Sequence, residues 1–323
     1  MKAIRFDHAG GPEVLKLDDI ELAPPAAGQV RVKHTAIGLN FIDTYHRSGL
    51  YPVPLPSGLG LEAAGVIDAL GDGVSGLKTG DRVGYCTGPI GAYAEANNIP
   101  ADRVVKLPDG ISDEVAAASM LKGMTAEYLL RRTFSVQRAQ TIVFHAAAGG
   151  VGLIACQLAR HLGATVIGTV GSDDKVELAK RHGCAHVLNT HHDDWAKEVR
   201  DLTGGEGVPV VYDGVGKTTW NGSLDCLAVR GMMVSFGNAS GAVPAFDPAV
   251  LSAKGSLYLT RPTLFHYVQT RAELQQAADD LFAVIASGAV QISINQRFKL
   301  ADARAAHEAL HSRATTGATV LLP

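Results

Sequence analysis

Cysteine is scarce in this chain and is never arranged in a metal-binding or redox motif. The four cysteines, Cys86, Cys156, Cys184 and Cys226, lie far apart, and no two form a Cys-x-x-Cys pair. Isolated cysteines are typical of buried thiols in a reducing compartment and argue against a disulfide framework. The residues after Met1 mix charged and apolar side chains and lack the continuous apolar stretch of a secretory signal. We therefore expect a cytoplasmic protein.

An excess of positive charge is also missing. Lys and Arg number 29 against 32 Asp and Glu, which gives a formal net charge of −3 at pH 7. Nucleic acids and anionic membrane surfaces bind basic patches, so we expect neither as a partner. Hydrophobic residues make up 46% of the chain and charged residues 19%, as in ordinary globular proteins. A length of 323 residues is enough for about two domains.

The chain has few groupings of metal ligands. A catalytic zinc ion needs about three converging His, Cys or carboxylate ligands. No cysteine lies between Asn40 and Tyr85, and the nearest clusters are residues 182–186 and the pair at 191–192. The first cluster straddles a glycine at the end of a predicted helix, and the second is typical of a solvated loop. We therefore predict that the protein binds no metal, and the sequence marks no Ser-His-Asp triad, carboxylate pair or nucleophilic cysteine.

A stretch without charged residues does stand in mid-chain, at residues 141–159. Such a stretch could be read as a membrane span, but its clustered glycines and His145 argue against one. The β-branched and aromatic residues from Thr141 to Phe144 predict a strand, and a helix-forming sequence follows the glycines of segment 149–152. A strand, a glycine turn and a helix in this order are the context of a dinucleotide-binding fingerprint.

The fingerprint assigns a task to each small residue of the turn. Ala147-x-Gly149-x-x-Gly152 fits the frame, with alanine in the first position. Gly149 lets the backbone approach a pyrophosphate, and Gly152 lets the helix pack closely on the strand. The helix N-terminus supplies free N–H groups and the positive end of a dipole. A plain strand–helix turn without a ligand is the alternative for such a motif taken alone.

The end of the next predicted strand indicates which nicotinamide cofactor would bind. An NAD-specific site has an acid there to receive the ribose hydroxyls. In this chain the place is taken by Gly171 and Ser172, with Lys175 one turn later. The small residues leave room for a 2′-phosphate and the lysine supplies a cation, which predicts NADPH. Asp173 and Asp174 favour a helix N-terminus and are expected to point outward, and a solvated helix position is the alternative for Lys175.

The order of predicted elements indicates an α/β protein. Residues 1 to about 120 contain short strands cut by Gly, Pro and Asp, which predict a small barrel. A helix is predicted to start at Asn40, with Asp43 completing a capping box, a second at Ser112, and a separate third helix over about 125–132. From 141 onward, apolar strands alternate with helices, including one over 193–202, which predicts a doubly wound parallel sheet. The tail predicts a helix over 271–286, a short strand pair, a helix over 301–311 and a strand over 318–322 that returns to the first domain.

These residues resemble the zinc-free quinone oxidoreductases (zeta-crystallin-like) of the medium-chain dehydrogenase/reductase superfamily. The resemblance extends over essentially the whole chain and rests on segments 38–45, 58–65, 145–152, 168–171, 234–238, 255–262 and 312–317. Zinc-dependent relatives have Gly-His-Glu where this chain has Gly60-Leu61-Glu62, so leucine replaces the usual histidine ligand.

The resemblance implies a fold and an activity. Residues 1–122 and 264–323 would form a GroES-like, β-barrel-type catalytic domain, and residues 123–263 a central Rossmann domain that binds NADPH, with the site in the cleft between them. The implied activity is NADPH-dependent reduction of quinones by hydride transfer, or one electron at a time. A homodimer is also implied, in which the strand at 257–260 pairs with its twin across a two-fold axis.

The resemblance also implies site residues. Asn40 would lie near the nicotinamide ribose, and Gly171, Lys175 and Arg313 would hold the 2′-phosphate. The full implied cofactor set is Asn40, Thr125, Tyr128, Gly149, Gly150, Val151, Gly171, Ser172, Lys175, Thr190, Phe236, Asn238, Leu259 and Arg313. Relatives often have tyrosine where this chain has Thr190.

For the quinone, the expected contacts are Asn40, Asp43, Tyr45, Tyr51 and Thr125, with Asn40 or Tyr45 as the catalytic group that polarises a carbonyl. Two alternatives stay open here. Asn40 and Asp43 could serve only as a helix cap, and the two tyrosines could serve only as core.

Two other functions stay open at this point. An NADPH-dependent reductase of α,β-unsaturated carbonyls would use the same cofactor geometry and a similar pocket. A non-catalytic NADPH-binding protein is the second alternative, although the acidic balance argues against an RNA-associated one.

Overall fold

The structure, a computed structural model, describes residues 1–191 and 194–323. The strands of these residues are β1 (Lys2–Phe6), β2 (Lys16–Asp19), β3 (Gln29–Leu39), β4 (Ser57–Gly58), β5 (Glu62–Leu70), β6 (Arg82–Tyr85), β7 (Ala96–Pro100), β8 (Val105–Lys106), β9 (Thr141–Phe144), β10 (Thr165–Val170), β11 (His186–Asn189), β12 (Val208–Asp213), β13 (Leu227–Ser235), β14 (Tyr258–Thr260), β15 (Ile294–Lys299) and β16 (Ala318–Leu322).

The α-helices of the same residues are α1 (Phe41–Ser48), α2 (Asp113–Glu127), α3 (Gly150–His161), α4 (Val176–Arg181), α5 (Trp195–Leu202), α6 (Trp220–Asp225), α7 (Ala249–Ala253), α8 (Leu264–Tyr267), α9 (Arg271–Ala286) and α10 (Ala303–His311). The chain forms two compact units. The first unit comprises residues 1–124, 268–286 and 292–323, and the second comprises residues 125–267 and 287–291.

The first unit is built on two β-sheets. The larger has the order β15-β16-β3-β5-β6-β8, with β7 also paired to β3, and the smaller has the order β2-β1-β4. Val30 and Val32 alternate inward along β3, as the period-two pattern predicts, and both are fully buried. β16 pairs with β3 in antiparallel register, Val320 opposite Gly38. The prediction that residues 318–322 return to the first domain is therefore confirmed.

The second unit is a six-stranded parallel sheet in the order β11-β10-β9-β12-β13-β14. The chain winds outward from β9 to β11 on one side and from β12 to β14 on the other, so the predicted doubly wound sheet is confirmed. The winding reverses between β9 and β12, where Val211 lies opposite Val143. Ligands of such sheets bind outside the carboxyl ends of the strands at this switch point.

Two of the predictions differ from the structure. The two helices expected around residues 112–132 are one, because α2 continues directly into a π-helix over Tyr128–Thr133. Gly123 does not end α2 but makes room for Leu281, whose Cδ1 would lie 2.4 Å from an added Cβ. The expected strand pair before α10 is the single strand β15, which pairs with β16 instead.

Other boundaries shift by a few residues. The rough alternation of residues 15–22 predicts a strand, of which the structure forms only β2. The sequence also predicts a helix over 173–181, which in the structure begins with a 3₁₀ turn at Asp173–Lys175. Of the helix expected over 193–202, the structure gives Trp195–Leu202, and Asp193 lies outside the described residues. Within the described part of the chain, each helix is too short or too polar to span a lipid bilayer.

Candidate cofactor and substrate site

The glycine turn after β9 leads into α3 with its first N–H groups open. Gly149 stands at the N-cap, α3 begins at Gly150, and its first turn contains no acid. Among the described residues no side chain caps this end, and Gly149, Gly150 and Val151 are all partly exposed. Uncapped N–H groups at a helix N-terminus attract an anion through hydrogen bonds and the helix dipole. The turn therefore fits a phosphate group.

Gly152 has a different task in the same turn. A Cβ at this position would lie 2.2 Å from the backbone oxygen of Ala146, a backbone atom that cannot move aside. The closeness follows from the turn itself, in which Ala146 adopts a left-handed φ of 52°. Gly152 is therefore required for helix α3 to pack on strand β9, as the fingerprint predicts.

The end of β10 presents open space rather than a carboxylate. A Cβ added at Gly171 would meet no atom within 4 Å, and Ser172 is partly exposed. Asp173 turns toward the next strand, where its Oδ1 accepts a hydrogen bond from Asn189 at 2.8 Å. Lys175 lies half-buried one turn later. This space and this cation fit a 2′-phosphate, whose charge an acid in the same place would repel.

Thr190, one of the predicted cofactor residues, is bound to the neighbouring strand. Its N–H donates to the oxygen of Val170 at 2.9 Å, and its hydroxyl approaches the same oxygen at 3.3 Å. The residue thus joins the ends of β10 and β11, and the second unit brings it within reach of the segment after β10.

The switch point is fixed by a buried polar chain that the sequence did not indicate. Asp213, at the end of β12, accepts hydrogen bonds from the N–H groups of Val215 (2.7 Å) and Gly216 (2.9 Å) and from the hydroxyl of Ser223 (2.9 Å). His145, at the end of β9, contacts Ser223 through Nε2 at 2.9 Å. These bonds hold the loops that follow β9 and β12 in a fixed relation.

His145, Ser223 and Asp213 are the three residue types of a hydrolase catalytic triad, but they are not hydrogen-bonded in the order that such a triad requires. Ser223 donates its proton to Asp213, so its oxygen accepts from the Nε2–H of His145, while Nδ1 of His145 accepts from the hydroxyl of Thr169 at 2.7 Å. Burial lowers the pKa of His145 and keeps it neutral. Ser223 therefore has no base to activate it. We infer that this hydrogen-bonded group of side chains stabilises the fold and does not create a nucleophile.

The loop after β13 carries Phe236 and Asn238. Phe236 packs on Phe144 with ring centroids 5.8 Å apart. In the amide orientation that satisfies both groups, Asn238 donates to the oxygen of Gly237 at 2.9 Å and accepts from Arg261 at 3.0 Å. Arg261 also donates to the oxygens of Ser235 and Gly237. Sequence reasoning quoted Arg261 only as part of a motif and missed this role.

Tyr128 lies in the π-helix at the end of α2 and is almost fully buried. Its ring stacks on Tyr267 at 4.4 Å, and the guanidinium of Arg132 lies 5.4 Å from the centre of that second ring. Burial raises the pKa of the Tyr128 hydroxyl and keeps it protonated. Thr125 precedes it by one turn and is also buried. π-Helical turns inside α-helices occur frequently at functional sites.

In the first unit, Asn40 and Asp43 form the predicted capping box at the start of α1. Oδ2 of Asp43 accepts from the N–H of Asn40 at 2.9 Å, and the amide of Asn40 donates to Oε2 of Glu62 at 2.8 Å. Both residues are buried, Asp43 completely. The side chain of Asp43 is thus enclosed by protein, which favours a positioning role over direct contact with a substrate.

A buried ion pair lies under Asn40 and was missed by sequence reasoning. The ammonium of Lys122 lies 3.1 Å from Oε2 of Glu62, whose Oε1 accepts from the N–H of Leu121 at 2.7 Å. The side chains of Lys122 and Glu62 are 6% and 0% exposed. A lone acid in the apolar run of β5 and a lone lysine in the apolar part of α2 were the available signals, since buried charges are rare unless paired.

The two tyrosines that are expected to contact the quinone lie together. Tyr45 and Tyr51 meet edge to face with ring centroids 5.1 Å apart, and Phe41 packs against Tyr45 at 5.8 Å. Tyr45 is 8% exposed and Tyr51 is half-buried. The first unit therefore brings these rings into one aromatic cluster beside the capping box. The ring of a quinone is flat and apolar, so it is suited to stack against this aromatic cluster.

Two of the predicted cofactor residues remain, one in each unit. Leu259 is half-buried in β14, at the edge of the parallel sheet. Arg313 is exposed in the segment after α10 and has a left-handed φ of 59°. In the part of the chain that the structure describes, no three or more His, Cys, Asp or Glu side chains are grouped to hold a metal ion, and His192 of the predicted loop pair lies outside that part.

Comparison with known proteins identifies the family. Residues 26–109 match the model of the alcohol dehydrogenase GroES-like domain, and residues 150–283 match that of the zinc-binding dehydrogenases. Over 323 residues the chain is 56% identical to a quinone oxidoreductase of Pseudomonas aeruginosa, covering 100% of this chain and 99% of the relative. The chain belongs to the quinone oxidoreductase family. The predicted family, its place among the medium-chain dehydrogenases/reductases and the GroES-like and Rossmann fold class are thereby confirmed.

Two further relatives of this family are informative. A crystal structure of Escherichia coli quinone oxidoreductase in complex with NADPH matches with a TM-score of 0.99 and 51% identity, covering 100% of both chains. A 2-haloacrylate reductase of Burkholderia is 45% identical over 322 residues, covering 97% of this chain and 96% of the relative. The family therefore includes members named for quinones and members named for an unsaturated acid.

Proposed function

We propose that this protein is an enzyme that reduces quinones with NADPH. The observation that carries the proposal is the full-length likeness to a quinone oxidoreductase solved with NADPH. The uncapped start of α3 and the carboxylate-free end of β10 support the same cofactor. When bound, NADPH supplies the hydride, and the protein has to bind and orient it.

The proposed NADPH contacts fall into three groups. Gly149, Gly150 and Val151 bind the pyrophosphate through the start of α3. The 2′-phosphate and its ribose are assigned to Gly171, Ser172, Lys175, Thr190 and Arg313. The nicotinamide half is assigned to Asn40, Thr125, Tyr128, Phe236, Asn238 and Leu259. In keeping with these groups, we propose residues 1–122 and 264–323 as the catalytic domain and residues 123–263 as the NADPH-binding domain.

For the quinone we propose Asn40, Tyr45, Tyr51 and Thr125 as contacts. The aromatic cluster at Tyr45 supports this assignment, because it offers a ring face and a hydroxyl group on one side chain. Tyr45, or Asn40, would polarise the quinone carbonyl by donating a hydrogen bond. Asp43, being enclosed, would act by holding the first turn of α1.

The substitution Tyr45→Phe tests the carbonyl contact. It keeps the ring and removes only the hydroxyl, so we expect kcat for quinones to fall roughly tenfold while NADPH binding is unchanged. Stopped-flow measurement of NADPH oxidation gives kcat, and fluorescence titration gives the Kd. If turnover and KM both equal those of the wild type, Tyr45 has no such role.

The proposal also covers three general properties of the protein: its independence of zinc, its location in the cell and its oligomeric state. We propose that hydride transfer proceeds without zinc, since Leu61 replaces the histidine of zinc-dependent relatives. We propose a cytoplasmic homodimer, supported by four free, buried cysteines and by the exposed edge strand β14. Metal analysis of active protein and its activity after dialysis against a chelator test the first property. Stoichiometric zinc whose removal abolishes activity would contradict it.

Reduction of α,β-unsaturated carbonyls is a second candidate, favoured by the 45% identity to a 2-haloacrylate reductase. A panel of 1,2- and 1,4-quinones, enals, enones and 2-haloacrylate, each assayed by NADPH oxidation and product stoichiometry, separates the candidates. We expect the highest kcat/KM with a quinone. A higher value for an unsaturated carbonyl would reverse the assignment, and tight NADPH binding without turnover would indicate a non-catalytic protein.

A further inference from the structure

A second buried polar chain runs through the first unit and ends at the capping box. The guanidinium of Arg47 contacts Nδ1 of His307 at 2.9 Å, and Nε2 of His307 contacts the hydroxyl of Tyr93 at 3.1 Å. The hydroxyl of Tyr93 in turn donates to Oδ2 of Asp43 at 2.9 Å. The same carboxylate oxygen accepts the N–H of Asn40. The chain thus links helix α10 to the first turn of α1.

Arg47, the first residue of this hydrogen-bonded chain, determines the direction of every hydrogen bond in it. Arginine has only donors, so Nδ1 of His307 must accept and Nε2 must carry the proton. The Nε2–H then donates to the oxygen of Tyr93, which leaves the Tyr93 proton for Asp43. Burial and, to a lesser extent, the nearby charge of Arg47 together lower the pKa of His307 to about 3, in agreement with a neutral ring. All donors therefore point toward the carboxylate.

We propose that Arg47, His307 and Tyr93 are positioning residues that act through Asp43 to hold Asn40 in place for NADPH-dependent reduction. The inference rests on the proposed function, in which Asn40 contacts the nicotinamide half of the cofactor and the substrate. Two networks meet at this residue: Asp43 holds its backbone N–H, and the buried Glu62–Lys122 pair holds its side chain. Apolar side chains would enclose helix α1 at a lower desolvation cost. The buried polar chain is therefore better explained by the precision with which it fixes the first turn of α1.

The charge state of Asp43 gives the proposal a measurable signature. Burial is the largest of the effects that together raise the pKa of Asp43 to about 7. Hydrogen bonds from Asn40 and Tyr93 and the charge of Lys122 oppose this rise, and the negative charge of Glu62 adds to it. Oδ1 of Asp43 has no hydrogen-bond partner among the described residues. An ionised carboxylate accepts two donors at Oδ2 more strongly than a protonated one. The hold on Asn40 should therefore weaken as the pH falls through the pKa of Asp43.

The substitution Tyr93→Phe tests this chain. It removes a hydrogen bond that lowers the pKa of Asp43, so the acidic limb of the kcat profile should move to higher pH by roughly one unit. Loss of the donor should also lower kcat about tenfold, with the Kd of NADPH, measured by fluorescence titration, changing much less than kcat.

Tyr85→Phe is the matched control. Tyr85 is also fully buried in the first unit, and its hydroxyl bonds to a histidine, His34, at 2.9 Å, but that pair has no link to Asp43 in the described contacts. Both variants lose one buried phenol hydroxyl and should lose similar stability in thermal unfolding. Only Tyr93→Phe should move the acidic limb.

Asp43→Asn is a second variant, which keeps the shape of the side chain and removes its titration. We expect low kcat at every pH and loss of the acidic limb. An acidic limb that is unchanged in Tyr93→Phe, or retained in Asp43→Asn, overturns the positioning role while quinone reduction by the wild type stands. Failure of the wild type to oxidise NADPH with any quinone overturns the proposed function, and this inference with it.

Discussion

At the scale of single residues, our proposal makes the choice between NADPH and NADH depend largely on the short segment after β10. Gly171 leaves open space, Asp173 is turned toward Asn189, and Lys175 is the cation of the segment. Lys175→Ala should therefore weaken NADPH binding by roughly 1.5–3 kcal/mol, the range for a hydrogen bond to a charged group. NADH binding should be unchanged, because NADH has no 2′-phosphate. The ratio of kcat/KM for the two cofactors measures the effect.

Lys180→Ala is the control for this prediction. Lys180 lies on α4, the helix that directly follows Lys175, but its ammonium pairs with Glu177 at 2.9 Å on the exposed surface. Its removal should leave the cofactor ratio unchanged. An equal effect of both lysines would indicate general electrostatic attraction to an anionic cofactor rather than a phosphate site at Lys175.

The residue scale also marks where sequence reasoning stops. The capping box of Asn40 and Asp43 could be predicted because its members are three residues apart, and local spacing determines such contacts. The pairing of Glu62 with Lys122, or of Tyr93 with His307, joins residues far apart in the chain. The sequence marks Glu62 and Lys122 as isolated charged residues in apolar runs, but it does not mark Tyr93 or His307 in this way. Only the fold shows which partner each of the four residues meets.

At the scale of elements, the sequence predicts strands and helices well where their periodicity is strong. The sequence predicts the strands of the parallel sheet at 141–144, 165–170, 186–188, 209–212, 232–236 and 257–260. The structure has them close to these positions, because their apolar runs are short and bounded by turn residues. The prediction of a separate helix at 125–132 was wrong, because α2 continues without a break through Gly123, which packs closely against Leu281, and into the π-helix. The partner of β15 could not be predicted, since pairing between distant strands leaves no local signal.

The turn between β9 and α3 yields a prediction at this scale. Gly152→Ala would bring a Cβ within 2.2 Å of the backbone oxygen of Ala146, so the strand and helix would have to separate. We expect a loss of about 1–3 kcal/mol in the free energy of unfolding, the usual cost of overpacking, together with loss of NADPH binding. Chemical denaturation and fluorescence titration measure the two effects.

Gly171→Ala provides the comparison for stability. Its added Cβ meets no atom within 4 Å, so the free energy of unfolding should change by less than about 0.5 kcal/mol. If Gly152→Ala is as stable as Gly171→Ala and binds NADPH with unchanged affinity, the close approach of α3 to β9 is not required for the site.

At the scale of the whole molecule, the parallel sheet ends in an open edge. Among the described residues, β14 pairs with no strand other than β13, and Tyr258 on β14 and Val229 on β13 are 59% and 73% exposed. An edge strand with exposed apolar side chains is a template for pairing with another chain, and pairing of two copies through a two-fold axis would close both edges.

We predict that Tyr258→Asp converts the proposed dimer into a monomer, because it would bury two like charges near the axis. Sedimentation equilibrium measures the mass. Leu202→Asp is the control: Leu202 is also exposed, at 43%, but lies on α5, the helix that follows β11 at the opposite edge of the sheet, so the dimer should persist. A wild type that sediments as a monomer, or a Tyr258→Asp variant that stays dimeric, would exclude β14 as the interface.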